Sequence, residues 1–421
     1  MKVYAVGGCI RDRMMNVAPK DYDYVVVGAV EQDMINLGYE KVGADFPVFL
    51  NSQTGSEYAL ARRERKTGNG YLGFECEFGT DVTLEEDLKR RDLTINSIAI
   101  GPINGDENAT SIIDPFNGES DIKNKILRHT SEAFSEDPVR VLRVARFRAR
   151  FGPDWKVASE TVDLIYHMGK KGVLNELQPE RIWKELSRAL MEPHPRLFFD
   201  TLLECDVLHI IFPEVYALCS AMESRRWHPE GNAYEHTMLV LTQATRYEFG
   251  QEFGLLLRMA ALVHDFGKGI TPKDKLPKHY GHDVNGVPIV ENFCNRLTVP
   301  TVIRDRIKMA TRYHMRMHEL EKLNPKTFIN MFMDMSAWND ETKVDLLYRT
   351  GIVDERGRLG SENVSIDHLQ MLPRIWDEVR KVKFADVFPN GETNVERIKD
   401  GLYKARVNAA AKAKREFLND Q

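Results

Sequence analysis

The chain has 421 residues, of which 43% are hydrophobic and 29% charged, a composition typical of a globular protein with more than one domain. Its net charge of −5 argues against indiscriminate binding to nucleic acid, so any RNA contact must come from local basic patches. The five cysteines form no CxxC pair, and no run resembles a targeting signal or a membrane span. We therefore expect a cytoplasmic protein without disulfides or membrane contact.

The pattern of the chain changes near residue 135. Before this point, short β-like runs at 3–6, 24–27, 48–50, 58–61 and 111–113 are separated by helical stretches such as 84–98. After it the pattern is amphipathic and helical, with breaks at Pro193 and Pro195 and again at 227–231. The predicted fold class is α+β, with a mixed-sheet head followed by an all-α remainder.

An acidic pair follows the first strand and a glycine pair. Asp21 and Asp23 are two residues apart on an extended run, so both carboxylates point to one side and can hold Mg²⁺. Gly7 and Gly8 let the backbone approach a triphosphate closely, and Arg11 can then reach the phosphates. Two solvated aspartates after a glycine turn are the alternative, but the conjunction favours a nucleotidyl-transfer site.

Two further segments of the head carry predictions. The Gly-, Lys- and Arg-rich stretch 62–79 cannot pack cheaply into a regular element, so we expect a mobile loop. A capping-box pattern at Thr83 starts the predicted helix 84–98. On that helix Arg91 can meet phosphate, while Asp92 and Asn96 share a face suited to a ribose hydroxyl. The alternative is a surface helix with an ordinary i, i+4 pair.

The run that begins at Asp137 predicts a reader of the nucleotide base. Asp137 followed by Pro138 indicates a helix N-terminus, and Arg140 and Arg143 then lie one turn apart. Cytosine and adenine both present an amino donor beside a ring-nitrogen acceptor, whereas uracil and guanine reverse that order. A carboxylate and a guanidinium therefore select CTP and ATP without a nucleic-acid template. The alternative is a capped helix with exposed arginines.

Two basic patches are candidates for RNA contact. The C-terminal stretch 397–415 either contacts RNA or is the solvated face of a helix, and the sequence does not separate these readings. The other patch is a row of arginines that comprises Arg140, Arg143, Arg146, Arg148 and Arg150.

A second chemical site is predicted from histidines. The doublet His264-Asp265 follows a buried helix predicted over 255–263, and mixed imidazole and carboxylate groups suit a divalent metal that assists phosphoester hydrolysis. Mg²⁺ and a softer ion such as Ni²⁺ both fit, and the last carboxylate ligand is open between Asp305 and others. Lone histidines are more often core or surface residues. The set comprises His236, His264, Asp265, His279, His282 and His314.

In order along the chain, these motifs resemble the class II tRNA nucleotidyltransferases, the CCA-adding enzymes of the polymerase-β-like superfamily. The segment from about 227 to 318 looks like the HD hydrolase domain of the bifunctional bacterial members. The matching runs are Gly7-Gly8-Cys9-Ile10-Arg11-Asp12, Lys20-Asp21-Tyr22-Asp23, Arg90-Arg91-Asp92-Leu93-Thr94-Ile95-Asn96, Asp114-Pro115-Phe116-Asn117-Gly118, Glu136-Asp137-Pro138-Val139-Arg140-Val141-Leu142-Arg143 and Pro179-Glu180-Arg181-Ile182.

The resemblance implies an enzyme that adds and repairs the 3′-terminal CCA of tRNA with CTP and ATP. It also implies an HD phosphohydrolase that acts as 2′-nucleotidase, phosphatase and 2′,3′-cyclic phosphodiesterase. In such enzymes a flexible loop within 62–79 is needed for the terminal A, and Glu57 falls where relatives place a further carboxylate. The implied domains are a catalytic head (1–134), a base-reading and tRNA-binding region (135–222), the HD domain (223–330) and a helical tail (331–421).

The implied site residues follow from the matched motifs. Asp21 and Asp23 are catalytic and hold Mg²⁺, and the HD metal, Ni²⁺ being one option, is held by His236, His264 and Asp265. A poly(A) polymerase is the alternative, although such enzymes typically lack the HD histidines, and a degenerate RNA-holding protein is a third. A monomer and a dimer are both compatible. Nucleotide binding is assigned to Gly8, Arg11, Arg91, Asp92, Asp137, Arg140 and Arg143.

Overall fold

The chain folds as two units, Met1–Ala189 with Leu197–Ile211 and Leu190–Arg196 with Phe212–Gln421. The structure, a computed structural model, describes residues 1–19, 21–42, 48–66, 74–103, 111–247 and 250–420. None of the helices in these ranges is both long and apolar enough to cross a membrane.

A mixed sheet forms the centre of the first unit. Along β1 (Lys2–Val6), Tyr4 and Val6 pack on one face while Ala5 packs on the other, the alternation expected of a strand covered on both sides. The remaining elements up to residue 211 are α1 (Gly8–Met14), β2 (Asp23–Val27), α2 (Glu31–Asn36), β3 (Glu40–Val42), β4 (Val48–Leu50), β5 (Glu57–Leu60), β6 (Arg62–Lys66), β7 (Phe74–Phe78), α3 (Leu84–Lys89), β8 (Ala99–Ile100), β9 (Ile112–Ile113), α4 (Gly118–Asn124), β10 (Ile126–Leu127), α5 (Val139–Phe151), β11 (Lys156–Val157), α6 (Ser159–Lys170), α7 (Pro179–Met191), α8 (Arg196–Glu204) and α9 (Leu208–Ile211).

Seven strands of the described residues form this sheet, in the order β3-β4-β5-β2-β1-β8-β9. Strands β2 and β5 run parallel, with Asp23 opposite Glu57, and the other neighbours run antiparallel. Every strand predicted from the sequence is present within one residue at either end. The α+β prediction with a mixed-sheet head is confirmed.

The helix predicted over 84–98 is wrong beyond its first turns. The capping box at Thr83 is present, but α3 ends at Lys89 and the chain then turns. Leu93 is extended and bridges to His129, and the Thr94 amide donates to the carbonyl oxygen of Arg128. Pairing with a distant segment thus overrides the helical periodicity, and only a 3-10 turn (Thr94–Asn96) follows.

Two other expectations for the secondary structure need correction. Much of the stretch 62–79 is not a loop, because β6 and β7 form an antiparallel ladder. Arg63 lies opposite Glu77 in this ladder, and 3.8 Å separates a guanidinium nitrogen of Arg63 from a carboxylate oxygen of Glu77. Residues 67–73 of the predicted loop lie outside the described residues. The region after the head is not wholly helical, since β11 pairs in parallel with β10.

The second unit is helical, and aromatic side chains fill much of its core. Phe332 and Trp376 lie 5.0 Å apart between ring centroids, and Trp338 lies 5.3 Å from Trp376. The breaks predicted at Pro193 to Pro195 and at 227–231 are confirmed. The helices are α10 (Pro213–Ala217), α11 (Ala233–Ala244), α12 (Gln251–Val263), α13 (His282–Arg296), α14 (Thr301–Met317), α15 (Pro325–Asp334), α16 (Thr342–Arg356), α17 (Met371–Val379), α18 (Phe384–Val387) and α19 (Val395–Asn419).

The basic C-terminal stretch forms most of α19, which packs on the core of the second unit through Ala410, Ala413 and Phe417. Arg406 lies 4.0 Å above the ring of Trp338, and the Lys414 ammonium donates to two backbone carbonyl oxygens. Three further lysines of this stretch, Lys399, Lys404 and Lys412, pair with acids on the same helix. These contacts favour the packed and solvated helix over a dedicated RNA surface.

Candidate active sites

A cavity of about 630 Å³ in the first unit gathers most of the residues predicted for nucleotide binding. Gly8, Asp23 and all the predicted nucleotide-binding side chains line it. Asp21 is exposed and lies two residues before Asp23, just outside β2 and not in the cavity wall. The wall holds four acids and eleven basic side chains, which are Arg11, Arg62, Arg90, Arg91, Arg140, Arg143, Arg146, Arg150, Arg181, Lys184 and Arg188. Such an excess of positive charge suits a polyanionic ligand.

The glycine pair fixes the start of α1 at the edge of this cavity. Gly7 has φ +77°, and a Cβ there would lie 2.9 Å from a guanidinium nitrogen of Arg91. Arg11 is held by the carboxylate of Asp12 at 2.7 Å and by the Asn96 amide oxygen at 2.6 Å. Burial lowers the pKa of Arg11, and the Asp12 carboxylate opposes that shift. Arg11 is therefore a fixed charge at the cavity wall.

The acidic pair lies on and just before β2, beside a third carboxylate. Glu57 on β5 stands opposite Asp23 in the parallel register. Although Asp23 is an exposed residue, loss of water around its carboxyl raises its pKa, the Arg91 charge opposes the shift, and Asp21 adds to it. An all-oxygen donor set of this kind fits a hard cation such as Mg²⁺.

Asp92 is buried in the cavity wall, and three hydrogen bonds hold its carboxylate. It accepts hydrogen bonds from the Asn96 amide (2.9 Å), the Leu93 backbone (2.9 Å) and the Arg143 guanidinium (2.7 Å). Burial alone would raise the pKa of Asp92, but Arg143 and Asn96 outweigh it and hold that pKa well below its usual range. Asp92 and Asn96 thus meet as predicted, although a turn brings them together and not a continuous helix.

Asp137 has a partner that the sequence analysis did not single out. Arg181 donates two hydrogen bonds to its carboxylate, at 2.9 and 2.8 Å. The prediction of Asp137 as N-cap is off by one residue, because α5 begins at Val139 and Pro138 is its N-cap, but the Val139 amide still donates to the Asp137 carboxylate at 3.1 Å. Arg140 donates to the carbonyl oxygen of Ala133 at 2.7 Å. Both predicted base readers line the cavity, and their orientations are set by protein contacts.

A signal for Arg181 was present in the sequence. Charged residues recur at positions 181, 184, 185 and 188 of α7, the spacing of one helix face, and all of them line the cavity. Helical periodicity also divides the arginine row of α5 into residues that line the cavity and one, Arg148, that does not. Arg146 pairs with Glu185 at 2.6 Å and Arg150 with Asp12 at 3.0 Å inside the cavity wall, whereas Arg148 turns away to Glu204.

A second pocket, of about 1050 Å³, lies in the second unit and is lined by every predicted residue of the histidine set except His264, which is fully buried beside Asp265. His236 on α11, His264 and Asp265 at the end of α12, and His314 on α14 are all buried. His264 Nε2 lies 3.2 Å from Asp265 Oδ2, and His236 Nε2 lies 3.8 Å from the same oxygen. His282, at the start of α13, lies 3.2 Å from Asp265 Oδ1.

A further buried carboxylate, Asp354 on α16, lies beside His236 and His264 in this pocket. Its Oδ1 lies 3.0 Å from His236 Nε2, and it can share one ion with His236 and His264. Asp305, the candidate named from the sequence, is exposed and pairs with Arg304. A buried acid in the apolar run Gly351-Ile352-Val353-Asp354 was the available signal, at a position beyond the predicted HD interval of 223–330.

The donor set fits a metal ion. His264 Nε2 and Asp265 Oδ1 are buried without a hydrogen bond within the described residues, a costly arrangement unless a cation is bound, whereas Asp265 Oδ2 already lies 2.6 Å from the Lys268 ammonium. Burial lowers the pKa of His314, which favours its neutral, metal-binding form. His279 instead contacts the Thr271 hydroxyl at 2.8 Å and the Met222 carbonyl oxygen at 3.1 Å.

Three protein families match successive parts of the chain. Residues 3–128 match the poly A polymerase head domain, residues 155–219 the probable RNA and SrmB-binding site of polymerase A, and residues 233–356 the HD domain. The chain is built from these three domains. Their presence and order confirm the resemblance to class II CCA-adding enzymes that carry an HD domain.

Solved structures support the same fold. A CCA-adding enzyme in its apo form II is similar over 100% of this chain and 92% of its own, with 18% identity and a TM-score of 0.65. The Thermotoga maritima CCA-adding enzyme complexed with tRNA_CCA is similar over 100% and 91%, with 16% identity and a TM-score of 0.62. A CCA-adding enzyme in complex with CTP is similar over 100% of this chain and 90% of its own, with 17% identity and a TM-score of 0.63. At these identities the likeness establishes the fold.

Proposed function

We propose that the first unit adds the 3′-terminal CCA to tRNA by nucleotidyl transfer from CTP and ATP, without a nucleic-acid template. The observation that carries this proposal is one cavity that combines Asp23, a cationic wall, and the pair Asp137 and Arg140. Similar solved structures contain CTP or tRNA_CCA, which supports the same ligands here.

In the proposed reaction the tRNA 3′-hydroxyl oxygen bonds to the α-phosphorus and pyrophosphate leaves. Asp21 and Asp23 would hold Mg²⁺, which activates the hydroxyl and stabilises the leaving oxygen. Arg11 and Arg91 supply fixed positive charge for the triphosphate beside Gly8, which offers no Cβ to the ligand. Asp92 is assigned to the ribose.

Base selection is assigned to Asp137 with Arg140 and Arg143. A carboxylate has about four acceptor positions, and three of those on Asp137 are used by Arg181 and Val139. One acceptor position therefore remains for the amino group of cytosine or adenine. Because Arg181 fixes the carboxylate plane, the direction of that acceptor is set before the nucleotide binds.

The test is incubation of the protein with tRNA ending in D, DC or DCC, where D is the discriminator base, and each radiolabelled NTP. Stepwise addition of C, C and A followed by arrest is the expected result. Continued addition of A would identify a poly(A) polymerase, the alternative that the HD domain disfavours. No incorporation with retained tRNA binding would identify a degenerate RNA-holding protein.

For the second unit we propose a metal-dependent phosphohydrolase with 2′-nucleotidase, phosphatase and 2′,3′-cyclic phosphodiesterase activities. Its HD domain and the buried donors His236, His264, Asp265 and Asp354 support a bound metal, Mg²⁺ or Ni²⁺. His264→Ala should abolish hydrolysis of 2′,3′-cyclic AMP and leave CCA addition intact. Loss of both activities in a folded variant would contradict independent centres. A control is His209→Ala, at an exposed histidine of the first unit.

Three further expectations remain proposals. We place the functional regions at 1–134, 135–222, 223–330 and 331–421, expect a cytoplasmic protein, and leave the choice between monomer and dimer to a measurement of mass in solution.

A further inference from the structure

A smaller pocket of the second unit lies beside the one that is lined by His236 and Asp265, here called the HD pocket. The smaller pocket encloses about 530 Å³, a size suited to a small organic ligand, and the connection between α12 and α13 forms most of its wall. It is lined by two lysines, Lys275 and Lys278, and by one acid, Asp274, and is here called the lysine pocket. Neither the nucleotidyl transfer nor the hydrolysis proposed above assigns a role to it.

Tyr280 belongs to both pockets. It lines the HD pocket and the lysine pocket, and it is 81% exposed. The turn after α12 is shared in the same way, because Asp265 and Lys268 line the HD pocket whereas Gly267 lines the lysine pocket. A ligand that extends past Tyr280 can therefore occupy both pockets at once.

The backbone beside Tyr280 is fixed by the side chain of His279. The Thr271 hydroxyl lies 2.8 Å from His279 Nδ1, and the Met222 carbonyl oxygen lies 3.1 Å from His279 Nε2. Burial lowers the pKa of His279 and so favours the neutral ring. Since a carbonyl oxygen only accepts, Nε2 carries the proton and Nδ1 accepts from the hydroxyl. These two bonds tie the connection to itself and to Met222, so Tyr280 is presented at a set position.

The lysine pocket combines three features of a nucleotide site. The exposed ring of Tyr280 offers a face on which any base can stack. Lys275 and Lys278 are exposed, pair with no acid among the described residues, and supply positive charge for a phosphodiester. Asn285 lines the same pocket, and its amide offers a donor and an acceptor to a base edge. Stacking of an unpaired base together with phosphate contacts is the usual way in which proteins bind single-stranded RNA.

We propose that the lysine pocket binds the penultimate nucleotide of an RNA 3′ end while the HD pocket holds the terminal nucleotide. The inference rests on the phosphohydrolase proposed for the HD pocket and names its substrate class, RNA ends in preference to mononucleotides. For a 2′,3′-cyclic phosphate the oxygen of water bonds to phosphorus, the bond from phosphorus to one ribose oxygen breaks, and that oxygen takes a proton. The lysine pocket adds binding energy from a part of the substrate that does not react.

The first measurement compares two substrates of the full chain, with Mg²⁺ or Ni²⁺, whichever supports hydrolysis. They are 2′,3′-cyclic AMP and the dinucleotide ApA that ends in a 2′,3′-cyclic phosphate. The value of kcat/KM should be at least about 10-fold higher for the dinucleotide, equivalent to about 1.4 kcal/mol and within the range for stacking of one base. Tyr280→Ala and Lys278→Ala should each lower this ratio, whereas Tyr280→Phe, which keeps the ring, should preserve it. The matched control for Lys278→Ala is Lys326→Ala, at an exposed lysine of α15 that lines neither pocket.

The second measurement reports on the lysine pocket without catalysis. The dinucleotide of 4-thiouridine followed by adenosine, with a free 3′-hydroxyl, has no terminal phosphate and therefore needs no metal. Irradiation should attach its thiouracil to the peptide that contains Tyr280, as located by mass spectrometry. Tyr280→Ala should abolish this crosslink, and Lys326→Ala should keep it.

The two measurements separate the inference from the proposed hydrolase. If either cyclic substrate is hydrolysed, the ratio decides: a value near one, or a value that Tyr280→Ala leaves unchanged, would overturn the inference and leave the hydrolase intact. If neither is hydrolysed, the hydrolase fails and the crosslink decides. A crosslink at the peptide of Tyr280 would then support an RNA-end site, and its absence would overturn that site as well.

Discussion

The two cavities differ in the charge that their walls present to a ligand. The cavity of the first unit has eleven basic side chains against four acids, and its key carboxylates, Asp92 and Asp137, are already paired with Arg143 and Arg181. In the second unit, Asp265 Oδ1 in the pocket wall and His264 Nε2 beside it are buried acceptors without a hydrogen bond among the described residues. The first site is therefore prepared for an anion and the second for a cation.

This difference has a consequence for each site. In the first unit the protein supplies most of the charge that a triphosphate needs, and the metal is required mainly at the reacting phosphorus. Under the function proposed for the second unit, a metal would have to bind before the phosphoester, because six acids line the pocket against four lysines and arginines and would repel an anion. Mutations should therefore affect chemistry in the first unit and metal content in the second.

The largest expected effect is the loss of nucleotidyl transfer on removal of the acidic pair. Asp21→Ala or Asp23→Ala should lower incorporation of both C and A by at least about 100-fold, because the metal ligands are lost while the cationic wall remains. Binding of tRNA and of CTP should change little. The measurement is single-turnover incorporation together with equilibrium binding.

An exposed acid of the same sheet, Glu40, provides the control, and Glu40→Ala should keep full activity. Near-normal incorporation by either aspartate variant would rule out the two-metal assignment for this site.

A second prediction concerns Asp354, the buried carboxylate beside His236 in the pocket of the second unit. Asp354→Asn should lower metal content and hydrolysis of 2′,3′-cyclic AMP by about 10- to 100-fold. An amide is a poorer ligand than a carboxylate for an ion shared with His236 and His264. Asp305→Asn is the matched control, because Asp305 is exposed and belongs to none of the possible metal-binding groups among the described residues. Elemental analysis and initial rates check both variants. If Asp305→Asn had the larger effect, the assignment from the structure would fail.

The third prediction concerns base selection at Asp137. Asp137→Ala should reduce the preference for CTP over UTP by about 10- to 100-fold, because the acceptor facing the amino group is lost, a change of about 1–3 kcal/mol. It should also destabilise α5 by about 1 kcal/mol, because Val139 loses its cap. The measurements are incorporation efficiencies on tRNA lacking CCA and the free energy of unfolding.

Asp137→Ser separates these two roles, since serine caps a helix but has no carboxylate. We expect it to restore stability without restoring selectivity. An unchanged CTP to UTP ratio in Asp137→Ser would show that Asp137 is only a cap, and base selection would then belong to other residues.

The sequence predicted local features well and distant pairings poorly. The five predicted strands were correct within a residue because each is short, largely apolar and bounded by turn residues, whereas β3, β6, β7, β8, β10 and β11 were not predicted. The helix over 84–98 failed because Leu93 and Thr94 pair with residues 128 and 129, which no local pattern reveals. The ladder of β6 and β7 was missed because its residues are mostly charged and favour a loop assignment.

The same distinction applies to the sites. Asp23, Asp92, Asp137 and Arg143 come from motifs with fixed spacing, and they do meet in one cavity. Arg181 and Asp354 were not assigned, because each reaches its partner only through packing of separate helices. A charged helix face marks Arg181 and a buried acid in an apolar run marks Asp354, but the partner of each depends on the tertiary structure.

The smallest expected effect uses one buried thiol in each unit. Burial raises the pKa of Cys205 in the first unit and of Cys294 in the second to about 12. Since a thiol is nucleophilic only when deprotonated, about one in 10⁴ of these groups is reactive at about pH 8, and alkylation mainly reports local opening.

A ligand slows opening of the unit that it stabilises. In the Asp23→Ala variant, Mn²⁺ should therefore slow alkylation of Cys294, on the helix that begins with His282, and leave Cys205 unchanged. Peptide-resolved mass spectrometry measures both rates in one sample, and equal slowing at the two thiols would show that the units do not open independently.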